Sequence, residues 1–173
     1  MKRVTALLLA AMMIITTGLI APAMAAEDDV PETYSNAYVV MDAKTGQVLL
    51  QKNMYEKEYP ASITKILTTA LGLTYAKPED RITVSQETVS DVWKWGETTH
   101  LALEPGEIIT LKDVLYGAMV ESANDCANAI AQAVSGSLTD FAELMNQQVA
   151  ALGLSDTHFT NAHGLPDKDH YTT

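Results

Sequence analysis

The 173 residues carry 22 acidic and 11 basic side chains, a formal net charge of −11, and one cysteine. So acidic a chain has no electrostatic footprint for nucleic acid or anionic lipid, and a lone cysteine excludes an internal disulfide. The length suits one hydrophobic core and is too short for two.

The chain opens with Lys2 and Arg3, runs apolar from Val4 to Ile20, and reaches Ala23-Met24-Ala25 ahead of an acidic stretch. Residues 1–25 therefore read as a secretory signal peptide cut after Ala25, with a retained membrane anchor as the alternative that an apolar run of about 17 residues permits. Cleavage leaves an exported chain from Ala26 to Thr173 with a formal charge of −13. Ala26 to Thr33, acidic and containing Pro31, reads as a flexible lead-in. Two β-rich runs, Ala37 to Asp42 and Gln47 to Lys52, flank Ala43-Lys44-Thr45-Gly46 and predict a hairpin, with Gly46 supplying a positive φ.

The spacing of Ile63, Ile66, Leu67, Ala70 and Leu71 predicts a helix from Ala61 to Leu73 that buries this apolar stripe, with Pro60 in its first turn. From Lys77 to Thr110 the pattern is irregular, apart from a short strand in Arg81-Ile82-Thr83-Val84, and Trp93 and Trp95 predict a packed, ordered loop. Three helices follow. The first starts at Thr110 with Asp113 in a capping-box-like pair and buries Leu111, Val114, Leu115, Ala118 and Met119. The second, Asp125 to Val134, buries Ala127, Ile130, Ala131 and Val134 and stops at Gly136. The third, capped by Ser137 with Asp140, buries Phe141, Leu144, Met145, Val149 and Leu152 and closes at Gly153-Leu154 in a Schellman ending. The last segment is polar and turn-rich. Cys126 reads as a small buried filler and not a catalytic thiol.

Ser62 and Lys65, three apart on the first helix, share a face beside the apolar stripe. A serine hydroxyl needs a base to become a nucleophile, and a lysine can be that base where burial lowers its pKa. The unpaired N–H groups of a helix N-terminus would stabilise an oxyanion there. Yet a chain of this length contains on the order of one Ser-x-x-Lys by chance. The pair gains meaning from Ser122 and Asn124 at a junction between two helices, where a second hydroxyl can relay protons and an amide can hold a peptide carbonyl. Read alone, Ser122-Ala123-Asn124-Asp125 is an N-cap cluster.

The stretches PASITKI, SANDCANAIA, LMNQQVAALGL and DTHFTNAHGLPDKDHYTT, in that order, together with the hairpin VVMDAKTGQVLLQKN, resemble the low-molecular-mass penicillin-binding proteins that act as D-alanyl-D-alanine carboxypeptidases, the S11 serine peptidases. The resemblance runs from about Ser35 to the last residue. It implies an α+β, serine DD-peptidase/β-lactamase-like fold, a helical cluster against an antiparallel sheet. It also implies that Ser62 attacks the bond between the terminal D-Ala residues of a peptidoglycan stem peptide with Lys65 as base, that Ser122 passes the proton to the leaving D-Ala, and that Asn124 binds the substrate backbone. β-Lactams would acylate the same Ser62. No cofactor or metal is implied, and the place of action is outside the cytoplasmic membrane.

Two departures from the family pattern stand out. Ala123 occupies a position where Gly is common. The family's later Lys-Thr-Gly strand is missing before Thr173, and the one Lys-Thr-Gly present, Lys44 to Gly46, reads as a hairpin turn. That strand would supply one of two oxyanion donors, the loss of which costs about 10² to 10³ in rate. Residues 26–173 are therefore expected to be an incomplete DD-peptidase domain, truncated before the later sheet strands and of little activity, with any membrane association residing in C-terminal parts missing here. A serine β-lactamase is the alternative within this chemistry, against which stands the lack of a Glu-x-x-Leu-Asn after the Ser122 block. A non-catalytic peptidoglycan-binding remnant is the alternative outside it. His158, His163 and His170 have spacings that fit no familiar zinc motif and read as solvated loop histidines.

Overall fold

A computed structural model describes residues 32–173; the signal-peptide reading of residues 1–25 lies outside the described residues. The chain divides into two units, Met1–Lys52 and Asn53–Thr173.

In the first unit, β1 (Tyr38–Met41) and β2 (Val48–Lys52) form the predicted antiparallel hairpin, with Val39 opposite Gln51 and a bulge between Val40 and Met41. The Asp42 carboxylate accepts the N–H groups of Lys44 and Thr45 and the Thr45 hydroxyl. Gly46 closes the loop at φ +73. Lys44-Thr45-Gly46 is thus turn, as its sequence reads.

In the second unit a 3-10 turn (Ala61–Ile63) leads into α1 (Thr64–Tyr75), followed by β3 (Arg81–Thr83), α2 (Gln86–Trp93), β4 (Ile108–Thr110), α3 (Leu111–Val120), α4 (Asn124–Ser135) and α5 (Leu138–Ala151). β3 and β4 pair antiparallel, with Ile82 opposite Ile109. Helices together with two antiparallel strand pairs in the chain make an α+β protein, as expected. Helix α4 is the hub, packed against α1, α2, α3 and α5. Ile130 faces a cluster with Ile82, Val89, Leu103, Leu111 and Val114, and Ala127 and Ala131 face another with Leu71, Phe141, Met145 and Phe159. Gly117 on α3 lets α4 approach, because a Cβ there would collide with Cys126 Sγ. Cys126 is fully buried, and burial pushes its thiol well above the ordinary value. It is a core side chain, as read.

The helix ends follow their local chemistry. Thr110 and Ser137 accept the N–H groups of Asp113 and Asp140, and Gly136 takes a left-handed cap at φ +80. Helix α5 ends with Gly153 N–H on the Ala150 carbonyl and Leu154 N–H on that of Val149, the Schellman pattern.

Several expectations are corrected. The segment from Lys77 to Thr110 is not irregular: Ser85 caps α2 by accepting the Thr88 N–H, and Val89 and Val92 anchor that helix in the core. Trp93 and Trp95 do not order it, being 51% and 42% exposed. Order in the following loop comes from the buried Asp125 carboxylate, which accepts the N–H groups of Leu101 and Leu103. Met119 and Leu152, expected in the core, are exposed at the ends of their stripes. The largest correction concerns α1. Of the expected stripe Leu71 is buried and Leu67 half-buried, but Ile63 and Ile66 are 67% and 59% exposed and Ala70 is exposed too, while the helix buries Thr64, Lys65, Thr68 and Gly72.

Candidate active site

The inverted burial of α1 has its partner in the polar segment from Ala162 to His170. Thr68 Oγ1 donates to the Ala162 carbonyl at 2.7 Å, Lys65 Nζ donates to the His163 carbonyl at 2.8 Å, and Thr64 Oγ1 meets His170 Nε2 at 2.9 Å. Thr64, Lys65 and Thr68 are therefore satisfied, the condition under which burial of polar groups is tolerated. The segment is tied back by the isolated bridges Glu58–Thr172 and His158–Tyr171. His163 and His170 are buried, so the reading of solvated loop histidines is wrong for both; each ring is claimed by hydrogen bonds of the surrounding turns.

The turn before α1 is held tightly. Pro60 is buried with φ −69 and caps it, Ala61 takes the left-handed φ of +48, and Gly164 at φ +89 lies so close that a Cβ would overlap the Ala61 carbonyl. Ser122, between α3 and α4, also has a left-handed φ, +58. Non-glycine residues in this region carry strain of about 1–3 kcal/mol each and concentrate at functional sites. Here the two strained turns bring their hydroxyl-bearing neighbourhoods together. Ser122 Oγ donates to Ser62 Oγ at 2.8 Å across a sequence separation of 60, and Lys65 Nζ lies 3.2 Å from Ser62 Oγ. The N-cap reading of the Ser122 cluster fails: Ala123 is the N-cap of α4 and makes no side-chain cap, while the Ser122 hydroxyl points to Ser62.

Lys65 is 2% exposed, and burial brings its pKa down to about 8. Among the described residues no carboxylate pairs with it; its contacts are a hydroxyl and a carbonyl. His170 is pushed down to about 4, chiefly by burial. Thr160 N–H donates to its Nδ1, so its proton sits on Nε2, facing Thr64. His163 is likewise lowered by burial, against the opposing pull of Asp91.

A cleft of about 360 Å³ opens over these groups, lined among others by Ser62, Thr99, Ser122, Asn124 and His163. Asn124 is buried at the start of α4, its backbone N–H donating to the Thr99 carbonyl. Of the four residues singled out from sequence, Ser62, Ser122 and Asn124 thus line one cleft, and the buried Lys65 reaches it through Ser62 Oγ. A hydroxyl 3.2 Å from a buried amine can be deprotonated by it, the geometry that nucleophilic acyl transfer needs. Sequence reasoning missed the groups around Lys65: the His163 carbonyl that accepts from it, the Thr64–His170 pair, Thr68 on the Ala162 carbonyl, and Asp91 against the His163 ring. Asn161-Ala162-His163-Gly164 was visible as a motif, but not which of its atoms matter. Among the described residues no group of three His, Cys, Asp or Glu side chains could hold a metal ion.

Residues 23–173 match the family model described as D-alanyl-D-alanine carboxypeptidase. The chain is 35% identical over 183 aligned residues to D-alanyl-D-alanine carboxypeptidase DacF of Bacillus subtilis, covering 100% of this chain and 45% of that protein. It is 36% identical to DacC of Escherichia coli, covering 90% of this chain and 41% of that one. The crystal structure of penicillin binding protein 6B from Escherichia coli superposes with a TM-score of 0.77 at 29% identity, over 88% of this chain and 49% of the other. The chain therefore spans less than half the length of these curated relatives. With its fold, its sequence and the order of its motifs in agreement, the chain belongs to the D-alanyl-D-alanine carboxypeptidase family of S11 serine peptidases.

Proposed function

We propose that this chain supplies the nucleophile, base and proton relay of a serine-type D-Ala-D-Ala carboxypeptidase that works on peptidoglycan outside the cytoplasmic membrane. The observation that carries the reading is Lys65 Nζ, buried between Ser62 Oγ and the His163 carbonyl, with its pKa lowered to about 8 by burial. In its neutral form the amine gives one hydrogen to the His163 carbonyl and turns its lone pair to the Ser62 hydroxyl. Ser62 Oγ then bonds to the carbonyl carbon of the penultimate D-Ala while its proton passes to Lys65. The C–N bond breaks, and the proton reaches the departing D-Ala amine through Ser122, whose hydroxyl already touches Ser62. Water cleaves the resulting ester and regenerates Ser62. Asn124, on the cleft wall, binds the stem-peptide backbone. A β-lactam carbonyl is attacked by the same steps, but the leaving amine stays tethered and the ester persists.

The test is to incubate the protein with a fluorescent penicillin and map the modified peptide by mass spectrometry, alongside D-Ala release from a peptide ending in D-Ala-D-Ala. The adduct is expected on Ser62, absent in Ser62→Ala, together with D-Ala release that the same substitution removes. An adduct elsewhere, or one that survives Ser62→Ala, rejects the reading.

A further inference from the structure

The carbonyl that receives Lys65 sits in a turn whose histidine ring is fixed at both nitrogens. Leu165 N–H donates to His163 Nδ1 at 3.0 Å, so Nδ1 is unprotonated and Nε2 carries the ring proton. That proton points to Asp91 Oδ2, 2.9 Å away and 72 residues earlier in the chain. The backbone N–H groups of His163 and Gly164 both donate to Asn161 Oδ1, at 3.2 and 2.7 Å. Asp91, near the end of α2, is itself gripped: Asn128 Nδ2 of α4 donates to Oδ2 at 3.0 Å, and Lys94 pairs with Oδ1. Although burial alone would raise it, the hydrogen bonds from His163, Lys94 and Asn128 hold the Asp91 carboxyl well below the usual range. The charged and titratable groups around the His163 ring are Asp91 and Lys94 from α2, Lys65 from α1 and His170 from the C-terminal segment.

Neither α1 nor the Ser122 turn supplies the acceptor on which the far hydrogen of Lys65 rests; the His163 carbonyl does. Its position depends on the His163 ring, and the ring's on Asp91. We infer that Asp91 is a positioning residue for the base: through the His163 ring it fixes the carbonyl that places Lys65 Nζ against Ser62 Oγ. The inference rests on Lys65 being the base, and extends the site to α2, on which no other residue assigned to it lies, and to Asn128 further along α4. Asp91 also lines an adjoining cleft of about 430 Å³ with Lys94, Asn128 and Asn161. The carboxylate is therefore partly open to water, and solvation alone would satisfy it. Its commitment to a buried imidazole is a constraint on that ring.

The test compares Asp91→Ala, Asp91→Asn, His163→Ala and Lys94→Ala in isotopically labelled protein. The Lys65 Cε resonance reports its titration, the His163 ring nitrogens report the tautomer, and penicillin labelling of Ser62 is followed against pH. Asp91→Ala is expected to release the turn, admit water and move the Lys65 midpoint up by a unit or more, to blur the single His163 tautomer, and to slow labelling at neutral pH about tenfold to a hundredfold with its rising limb shifted to higher pH. Asp91→Asn keeps an accepting oxygen and is expected to stay within about threefold of the parent. Lys94→Ala, which removes only the outer contact, changes none of these. His163→Ala reproduces the Lys65 shift, and Asp91→Ala adds nothing in that background. Should Asp91→Ala fail to fold, the His163→Ala titration decides. A Lys65 midpoint and pH limb unmoved by His163→Ala or Asp91→Ala, even with a lowered melting temperature, overturns the inference. Absence of Ser62 labelling in the parent would instead reject the functional reading, while the Lys65 titration still judges the positioning role.

Discussion

Helices α1 and α4 have the same length, and the apolar spacing of their sequences predicts the same behaviour. Helix α4 does what its pattern says and more, with every residue from Asn124 to Ala131 buried at the centre of the unit. Helix α1 does the reverse on its first two turns, burying Thr64, Lys65 and Thr68 while Ile63 and Ile66 face outward. The core of α4 follows from transfer of apolar surface out of water, which needs no particular partner. The face of α1 follows from hydrogen bonds to three groups almost a hundred residues away, each of which must arrive in register. Where a helix forgoes easy apolar burial for satisfied polar burial, the contradiction with local rules marks the part of the protein that does chemistry.

Substitutions can separate the two kinds of helix. Lys65→Met keeps the aliphatic stem and removes the base; Ser62 labelling is expected to fall about 10³-fold with a cooperative melting transition retained. Ile130→Ala on α4 should do the opposite, lowering stability by about 3 kcal/mol in urea titrations while leaving the labelled residue unchanged. Gly164→Ala places a Cβ into the Ala61 carbonyl at a left-handed φ, and a loss of about 2–3 kcal/mol with slower labelling is expected. Thr68→Val, which leaves the Ala162 carbonyl without its donor, should cost about 1–2 kcal/mol in the same titration. Ile66→Ser, on the outward apolar face, should move stability by no more than about 0.5 kcal/mol, and a loss as large as that of Ile130→Ala would erase the contrast between the helices.

Stability should also depend on pH in two windows. Lys65 titrates near 8 in the folded chain and near 10.5 unfolded, so between these values the unfolded chain holds more protons and stability rises with pH. His170 titrates near 4 when folded against 6.5, so stability is complete above about 6.5 and is lost as pH falls towards 4. Urea midpoints measured across both windows check the two signs.

Much of the fold was legible because it rests on local chemistry. The caps at Thr110 and Ser137, the Gly136 and Gly153 endings and the stripes of α3 to α5 are signals within a few residues of one another. Ser62, Lys65, Ser122 and Asn124 were legible as short spacings whose meaning a family pattern supplied. Helix α2 was missed because eight residues with Gln, Glu and Asp among them give too short a period, although Ser85 ahead of Thr88 was a usable start signal. Asp91 with His163 and Thr64 with His170 were not legible at all, since nothing local pairs residues 72 and 106 positions apart.

The central claim is that α1 buries its polar face in order to hold Lys65 as a base poised near neutrality. The Lys65 Cε chemical shift followed from pH 6 to 11 tests it directly and needs no substrate. A midpoint near 8 that returns towards 10.5 in urea is the predicted result; a midpoint near 10.5 in the folded protein would contradict the account.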